Sequence, residues 1–420
     1  MVAVMREMKD SHVEWIGQIP KAWKCCKQKH EIRLVNGRAY SDSEFEEEGK
    51  YRILRVGNLF SNPIWHTSSL ELEPDKYCEY GDLLYSWSMS YAPVIWTGEK
   101  VIFHYHIWKV QLKNNLDKKF AFYYLAALTD ALKAEIHETT MGFITMGIMN
   151  NSYIAFPSVD EQQRIAVLLD AKCAEIDALS ADIQSEIETM EAYKRSKVFE
   201  TIAHGVDHAD FQETDSDVWR TIPAEWKLVD IKYLFEIVKQ IAGKEGYDIL
   251  AITQQGLKVK DISSNEGQIA SDYSGYQFVY PGDFAMNHMD LLTGWVDLSD
   301  KFGVTSPDYR VFRLRDVARF DRKFYKYVMQ CCYMCRIFYS LGQGVSNLGR
   351  WRLQTSAFNN FKIPVPPYEE QVELGNYLDD TIGEIDDIIA QKQEQLAVLA
   401  DYKKSVIYEY VTGKKEVPAI

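Results

Sequence analysis

A gapless internal repeat constrains this chain more than any other feature. Glu161 through Ser196 aligns on Glu370 through Ser405, with about a third of positions identical. Shared landmarks are Glu161-Gln162 with Glu370-Gln371, Leu169-Asp170 with Leu378-Asp379, Glu175-Ile-Asp177 with Glu384-Ile-Asp386, and Tyr193-Lys194 with Tyr402-Lys403. Shorter echoes precede each copy. Ile19-Pro-Lys-Ala-Trp23 returns as Ile222-Pro-Ala-Glu-Trp226, Tyr51-Arg-Ile-Leu54 as Tyr247-Asp-Ile-Leu250, and Gly81-Asp82 as Gly282-Asp283. Leu116-Asp-Lys-Lys-Phe120 returns as Phe320-Asp-Arg-Lys-Phe324. The chain therefore reads as variable region, helix, variable region, helix. That suits 420 residues, a length expected to hold two or three domains.

Both repeated segments carry apolar residues at heptad spacing. Leu169, Ile176, Ile183 and Met190 form one seam, with Ile165, Leu179 and Ile187 beside it. Leu378, Ile385 and Leu399 keep the same register in the second, joined by Ile382, Ile388, Ile389 and Leu396. Ser158-Val-Asp-Glu161 fits a capping box after Pro157, and Pro364-Val-Pro-Pro367 gives a rigid stop before the second helix. Gly205 and Gly413 fit C-caps. About 45 residues at 1.5 Å each predict rods of roughly 65 Å, packed on each other antiparallel.

The variable regions read as α+β. Tyr51 to Leu59, Val101 to Leu112, Tyr247 to Thr253 and Tyr309 to Leu314 predict strands. Phe120 to His137 and Arg322 to Tyr339 predict helices, and residues 206–217 a polar linker. The expected division is 1–157, a helical spacer at 158–205, a second region at 206–367, and a second spacer at 368–420. The net charge of -14 is unevenly spread. Residues 156–210 and 366–420 each carry -7, while 1–155 carry -1 and 211–365 carry +1. Arg310, Arg313, Arg315, Arg319 and Arg322 crowd one stretch of the second variable region, which can concentrate positive charge on one face.

Seven cysteines, with two adjacent pairs, make poor disulfide arithmetic and suit a reducing cytoplasm. No stretch approaches the roughly 18 uninterrupted apolar residues of a membrane helix, and the first residues lack the apolar run of a secretory signal. Catalytic signatures are missing as well. No phosphate-binding loop or dinucleotide fingerprint occurs. Val365-Pro-Pro-Tyr368 resembles the tail of an amino-methyltransferase motif, but valine cannot accept a hydrogen bond from a target amine. Cys332-Tyr-Met-Cys335 lacks the second ligand pair of a zinc site. His104 and His106 alternate on an expected strand, more in keeping with a polar or groove-facing surface than with metal binding. No catalytic and no metal-binding residue is expected.

The order of these motifs, repeated over nearly the whole chain, resembles the specificity subunit of Type I restriction–modification enzymes. The resemblance implies two pseudo-symmetric globular target recognition domains joined by two long antiparallel coiled-coil helices. Each domain would read one half of a bipartite, asymmetric site in double-stranded DNA, and the helices would set the gap. The resemblance also implies two modification subunits, which use S-adenosylmethionine to methylate adenine, and two restriction subunits with ATP and Mg²⁺. The chain itself would bind none of these cofactors and catalyse nothing. From the residues alone, a coiled-coil scaffold with two protein-binding globular ends is the alternative; salt-dependent, sequence-selective DNA binding separates the two.

Base readers are sought among polar loop side chains, because base edges are read by Arg, Asn, Gln and hydroxyl groups. In the first region the candidates are Arg52, Arg55, Asn58, Ser86, Ser88, Thr139 and Thr140. In the second they are Gln254, Gln255, Lys258, Asn287, His288, Gln343, Ser346, Asn347, Arg350 and Arg352.

Overall fold

The computed structural model describes residues 6–88, 90–138, 144–261, 270, 272–344 and 351–417. The chain forms two compact units, Met1–Ile183 with Glu394–Ile420, and Gln184–Gln393. Each long helix thus contributes residues to both units.

The first unit begins with strands β1 (Met8–Asp10), β2 (Gln18–Pro20), β3 (Lys24–Lys27), β4 (Ile32–Asn36) and β5 (Tyr51–Leu54), then helix α1 (Val56–Phe60). Strands β6 (His66–Ser68), β7 (Tyr77–Cys78), β8 (Leu83–Ser86), β9 (Ala92–Ile95), β10 (Val101–Phe103) and β11 (Ile107–Leu112) follow. It closes with α2 (Lys118–Glu138), α3 (Met146–Asn151), β12 (Tyr153–Phe156) and the start of α4 (Val159–His204). Its sheets have the orders β4-β11-β8-β9 and β6-β5-β10-β7, with ribbons β1-β2 and β12-β3.

The second unit contains β13 (Phe211–Glu213), β14 (Thr221–Pro223), β15 (Lys227–Asp230), α5 (Ile231–Leu234), β16 (Phe235–Val238), β17 (Leu250–Thr253) and β18 (Gly256–Val259). Next come β19 (Gln277–Val279), β20 (Phe284–Met286), β21 (Val296–Leu298), β22 (Gly303–Thr305) and β23 (Arg310–Leu314). Helices α6 (Arg322–Met334), α7 (Ile337–Ser340) and α8 (Thr355–Asn360), strand β24 (Lys362–Val365) and the first part of α9 (Tyr368–Val411) complete it, the end of α9 belonging to the first unit. The sheet order β16-β23-β20-β21 and the ribbons β13-β14 and β15-β24 repeat the first unit's plan. The units differ elsewhere: in place of the first unit's other four-stranded sheet, the described residues of the second form the hairpin β17-β18 and the antiparallel pair β19-β22.

The repeated motifs are the joints of this plan. Gly81 and Gly282 adopt φ of 86° and 90°, a left-handed turn that favours glycine. Asp82 and Asp283 then accept the backbone N–H of Glu79 and Tyr280 at 2.8 and 3.0 Å. Lys109 locks the first turn to β11 and Arg313 the second to β23, at 2.7 and 2.9 Å. Asp117 and Asp321 accept the N–H of Phe120 and Phe324, capping α2 and α6. The buried Gln162 amide donates to the carbonyls of Asn115 and Pro157 and accepts from the Asp117 N–H. Gln371 does the same with Arg319, Pro366 and Asp321. The start of each long helix is thereby tied to the cap of α2 or α6.

Helix pairing is antiparallel within each unit. In the second, Lys194 meets Asp386 at 2.6 Å while Glu186 pairs with Lys392. In the first, Asp177 meets Lys403 at 2.6 Å, and Leu169 and Cys173 share a core with Val406 and Ile407. The expected seam residues Leu169, Ile176, Ile183, Leu378 and Ile385 are buried, whereas Met190 and Leu399 are only half-buried.

Several expectations need correction. The strand from Tyr51 stops at Leu54, because Asn58 caps the turn that starts α1. Val101 to Leu112 is two strands broken by a turn at His104–His106. The second helix expected to reach Tyr339 ends at Met334, where Arg336 turns left-handed at φ 55°. The supposed linker contains β13, which pairs with β14. Glu161 Oε1 is engaged by Trp23 and Arg6, not by a capping box with Ser158. Leu179 and Ile388, equivalent positions of the two copies, are 48% and 39% exposed, since a single helix partner covers one stripe only. Gly205 and Gly413 have φ of 67° and 72°, as C-cap glycines do.

Candidate nucleic-acid interface

In the first unit, β5, the turn after β10 and the segment after β8 carry the polar groups. Arg52 is exposed on β5, paired with Glu99 at 3.3 Å and lying 5.5 Å over the Trp65 ring. Arg55 is exposed at the start of α1 and makes no ion pair among the described residues. Asn58 is spent on structure. Its amide donates to the carbonyls of Asn62 and Ile64 at 3.0 and 2.8 Å and accepts from the Arg55 N–H. Ser86 is fully buried in β8, and Ser88 is half-buried with its carbonyl accepting from the Ser90 N–H. Thr139 and Thr140 lie outside the described residues.

The turn at His104–His106 is a feature that periodicity hid. Its rings pack closely: His104 to Tyr105 at 4.4 Å, Tyr105 to His106 at 4.1 Å, and His106 edge-on to Trp87 at 5.2 Å. The Trp87 indole donates to the Tyr105 carbonyl at 2.8 Å. A Cβ at Gly37 would fall 2.3 Å from the Phe103 carbonyl oxygen, so only glycine lets the strand after β4 press on this turn. Burial, then His106 and Arg55, lower the His104 pKa to about 4, and burial followed by Arg55 lowers that of His106. Two neutral imidazoles beside an exposed arginine result. Among the described residues, no three His, Cys, Asp or Glu side chains come together as metal ligands would.

In the second unit the candidates fall in two places. Gln254 and Gln255 are exposed at the tip of the β17-β18 hairpin, and Lys258 donates to Gln255 at 2.5 Å. Gln254 lines a cleft with Lys194 and Arg195 of α4 and with Trp295. The other place is the end of β20. Asn287 Oδ1 accepts the Met289 N–H, and its carbonyl accepts from the Tyr333 hydroxyl. The His288 carbonyl accepts the Leu353 N–H, while its Nδ1 is buried without a partner. Gln343 and Arg352 face each other across a backbone bridge, with both side chains exposed. Ser346, Asn347 and Arg350 lie outside the described residues.

Arg310 was not among the candidates. It is 4% exposed and donates to the Leu353 carbonyl at 3.2 Å and to Thr355 Oγ1 at 3.3 Å. Its guanidinium lies 4.6 Å from the Phe358 ring, and Nη1 has only the Met286 sulfur at 3.9 Å. No carboxylate pairs with it among the described residues. Burial lowers its pKa to about 10, so it remains a cation at neutral pH. Burial, then Arg310 and Arg352, lower His288 to about 4. The arginine crowd expected to make one basic face is dispersed. Arg310 and Arg313 are three apart on a strand and so point to opposite faces, and Arg313 and Arg315 pair with Asp283 and Glu236.

These two units, built on one plan with different polar edges, match the family model of the Type I restriction modification DNA specificity domain twice, over residues 20–189 and 223–398. The chain belongs to this family. It is similar to the MjaVIII specificity subunit of Methanocaldococcus jannaschii, 24% identical over 99% of both chains. It is also similar to the EcoBI specificity subunit of Escherichia coli, 19% identical over 97% of this chain and 90% of that one. Its fold is that of a chain from a structural study of complex assembly and conformational transition of the type I R-M system. The TM-score is 0.66 at 14% identity, covering 94% of this chain and 99% of that one. As a family member it is a specificity component with two copies of the DNA specificity domain. Among the described residues, no helix is long and apolar enough to cross a membrane.

Proposed function

We propose that this chain is the sequence-reading subunit of a Type I restriction–modification complex, with each unit reading one half of a bipartite, asymmetric DNA site. The observation that carries this reading is the double family match laid on two units whose scaffolds agree and whose polar edges differ. Different edges on one scaffold mean different half-sites. The chain is non-catalytic in this reading. Two modification subunits supply S-adenosylmethionine-dependent adenine methylation, and two restriction subunits supply ATP- and Mg²⁺-dependent translocation and cleavage. The complex works in the cytoplasm. The acidic helices, at -7 each, disfavour contact with DNA phosphates and suit protein partners instead.

The test is methylome sequencing of a host carrying this chain with its modification subunits. A bipartite motif with a fixed gap is the expected result, and a contiguous palindrome or no motif would overturn the proposal. The chain alone should transfer no methyl group. The paired helices act as the ruler: one heptad inserted after Ile183 and another after Lys392 keeps the seam and adds roughly 10 Å, or about three base pairs. The gap should grow while both half-sites stay the same.

A further inference from the structure

The duplication supplies an internal control for where bases are read. Gly81 and Gly282 open the same turn, so β8 and β20 run in register and Trp87 falls on His288. Trp108 on β11 lies opposite Tyr85, and Arg310 on β23 lies opposite Met286, the residue equivalent to Tyr85. The same two neighbouring positions, at the same end of the same sheet, are therefore Trp87 and Trp108 in one unit and His288 and Arg310 in the other. In the first the indoles stack at 5.7 Å and 17°. In the second, Leu353 ties the two together: its N–H donates to the His288 carbonyl at 3.0 Å and its carbonyl accepts from Arg310 at 3.2 Å.

Positions that hold the fold keep their chemistry between the copies: the turn aspartates, the capping aspartates, the buried glutamines. This pair has exchanged aromatic for cationic and polar. It also collects unspent hydrogen-bonding capacity. Arg310 Nη1 faces only a sulfur, His288 Nδ1 has no partner, and the exposed Arg352 makes no ion pair among the described residues. Exposed beside the first unit's pair are Tyr105, at 38%, and Arg55.

We propose that this sheet end is the base-reading edge of each unit: Arg352 and His288, over Arg310, take a guanine edge in the second, and Trp87, Tyr105 and His106 make neutral stacking and hydrogen-bonding contacts in the first. This rests on the DNA-reading role proposed above. Guanine presents two acceptors, N7 and O6, in the major groove, and an arginine fork supplies two matched donors. The stacked Arg310 is a positioning residue: held by the Leu353 carbonyl, it fixes a positive floor beside His288, which burial first and this cation second keep uncharged. The first unit has no such buried floor, so its bases are read by shape and uncharged contacts, with the exposed Arg55 beside them available to a phosphate.

The experiment uses the complex with modification subunits and reads the methylome in the host. The unaltered chain must first give a bipartite motif; if it gives none, the DNA-reading role fails rather than this assignment. Arg352→Gln should reduce the preference for guanine at one position of one half-site by about fivefold or more, leaving the other half-site untouched. Tyr105→Ala and His106→Gln should relax only the opposite half-site. Arg352→Lys keeps the charge but loses the fork, so the guanine preference stays relaxed if a base is read, whereas the methylation of the unaltered chain returns if only a phosphate is held. Thermal melting of each complex establishes that it is folded; should Arg352→Gln not fold, Arg352→Lys decides. An unchanged motif, a uniform fall in methylation with both half-sites intact, or relaxation in the wrong half-site would overturn the assignment.

Discussion

Trp226 donates its indole N–H to the Glu370 carboxylate at 2.9 Å, and Trp23 makes the same bond to Glu161 at 3.3 Å. Two motifs separated by more than 130 residues are thereby one joint, which fastens the entry ribbon of each unit to the start of a long helix. Trp226→Phe keeps most of the apolar bulk and removes the donor. It should cost about 2 kcal/mol, typical of a bond to a charged group, read as a lower unfolding midpoint. Trp23→Phe should cost less, since its bond is the longer one and the Arg6 guanidinium still holds Glu161 at 2.6 Å, whereas Glu370 keeps only the His208 imidazole at 2.5 Å. Equal losses would show that the bonds are incidental to packing.

Gln371 should be more sensitive than any ion pair on the helices. Its buried amide serves two carbonyls and one N–H at once. Gln371→Ala strands those groups, each worth about 1–3 kcal/mol when buried and unpaired. Denaturant unfolding should show a loss of roughly 3 kcal/mol or more. Gln371→Glu should not rescue, because a carboxylate would face the Arg319 and Pro366 carbonyls.

The reciprocal pairs Asp177–Lys403 and Lys194–Asp386 are largely solvent-facing, so each should contribute only about 0–1 kcal/mol. Their value lies in orientation. Asp386→Lys alone should lower stability by placing like charges together. Adding Lys194→Asp should recover most of the loss, and salt should shrink both effects. A double-mutant cycle reads the coupling directly.

His104 and His288 give the fold a sensitivity to acid. Their folded pKa values, about 4, lie below the ordinary 6.5, so the unfolded chain takes up protons first as pH falls. The stability they contribute is fully present above 6.5 and is lost as pH drops toward 4. Thermal melts should therefore show a falling midpoint across that window. His104→Asn combined with His288→Asn should flatten the slope between pH 6.5 and 5, before carboxylates dominate.

The candidate site was less legible than the fold. Ser86 looked like a loop hydroxyl but is buried in β8, and Asn58 looked free but ties its own turn. His104 and His106 looked like one face of a continuous strand, yet the chain turns there, under pressure from Gly37. Arg310 was submerged in a run of arginines, of which Arg313 and Arg315 proved to be satisfied by carboxylates or carbonyls.

The sequence by itself determined the duplication, the two heptad-bearing helices and the capping and turn positions. All of these are written in local spacing, because helix period, glycine turns and aspartate caps depend on residues a few positions apart. Only the tertiary structure decided which polar groups are already spent. Whether Arg310 or His288 retains a free donor or acceptor depends on carbonyls, rings and strands brought in from elsewhere in the chain. Hydrogen-bond saturation is therefore a property of the folded neighbourhood. For the same reason Leu179 and Ile388 stayed exposed: the pattern made them apolar, but the single helix partner packed against them covers only one stripe.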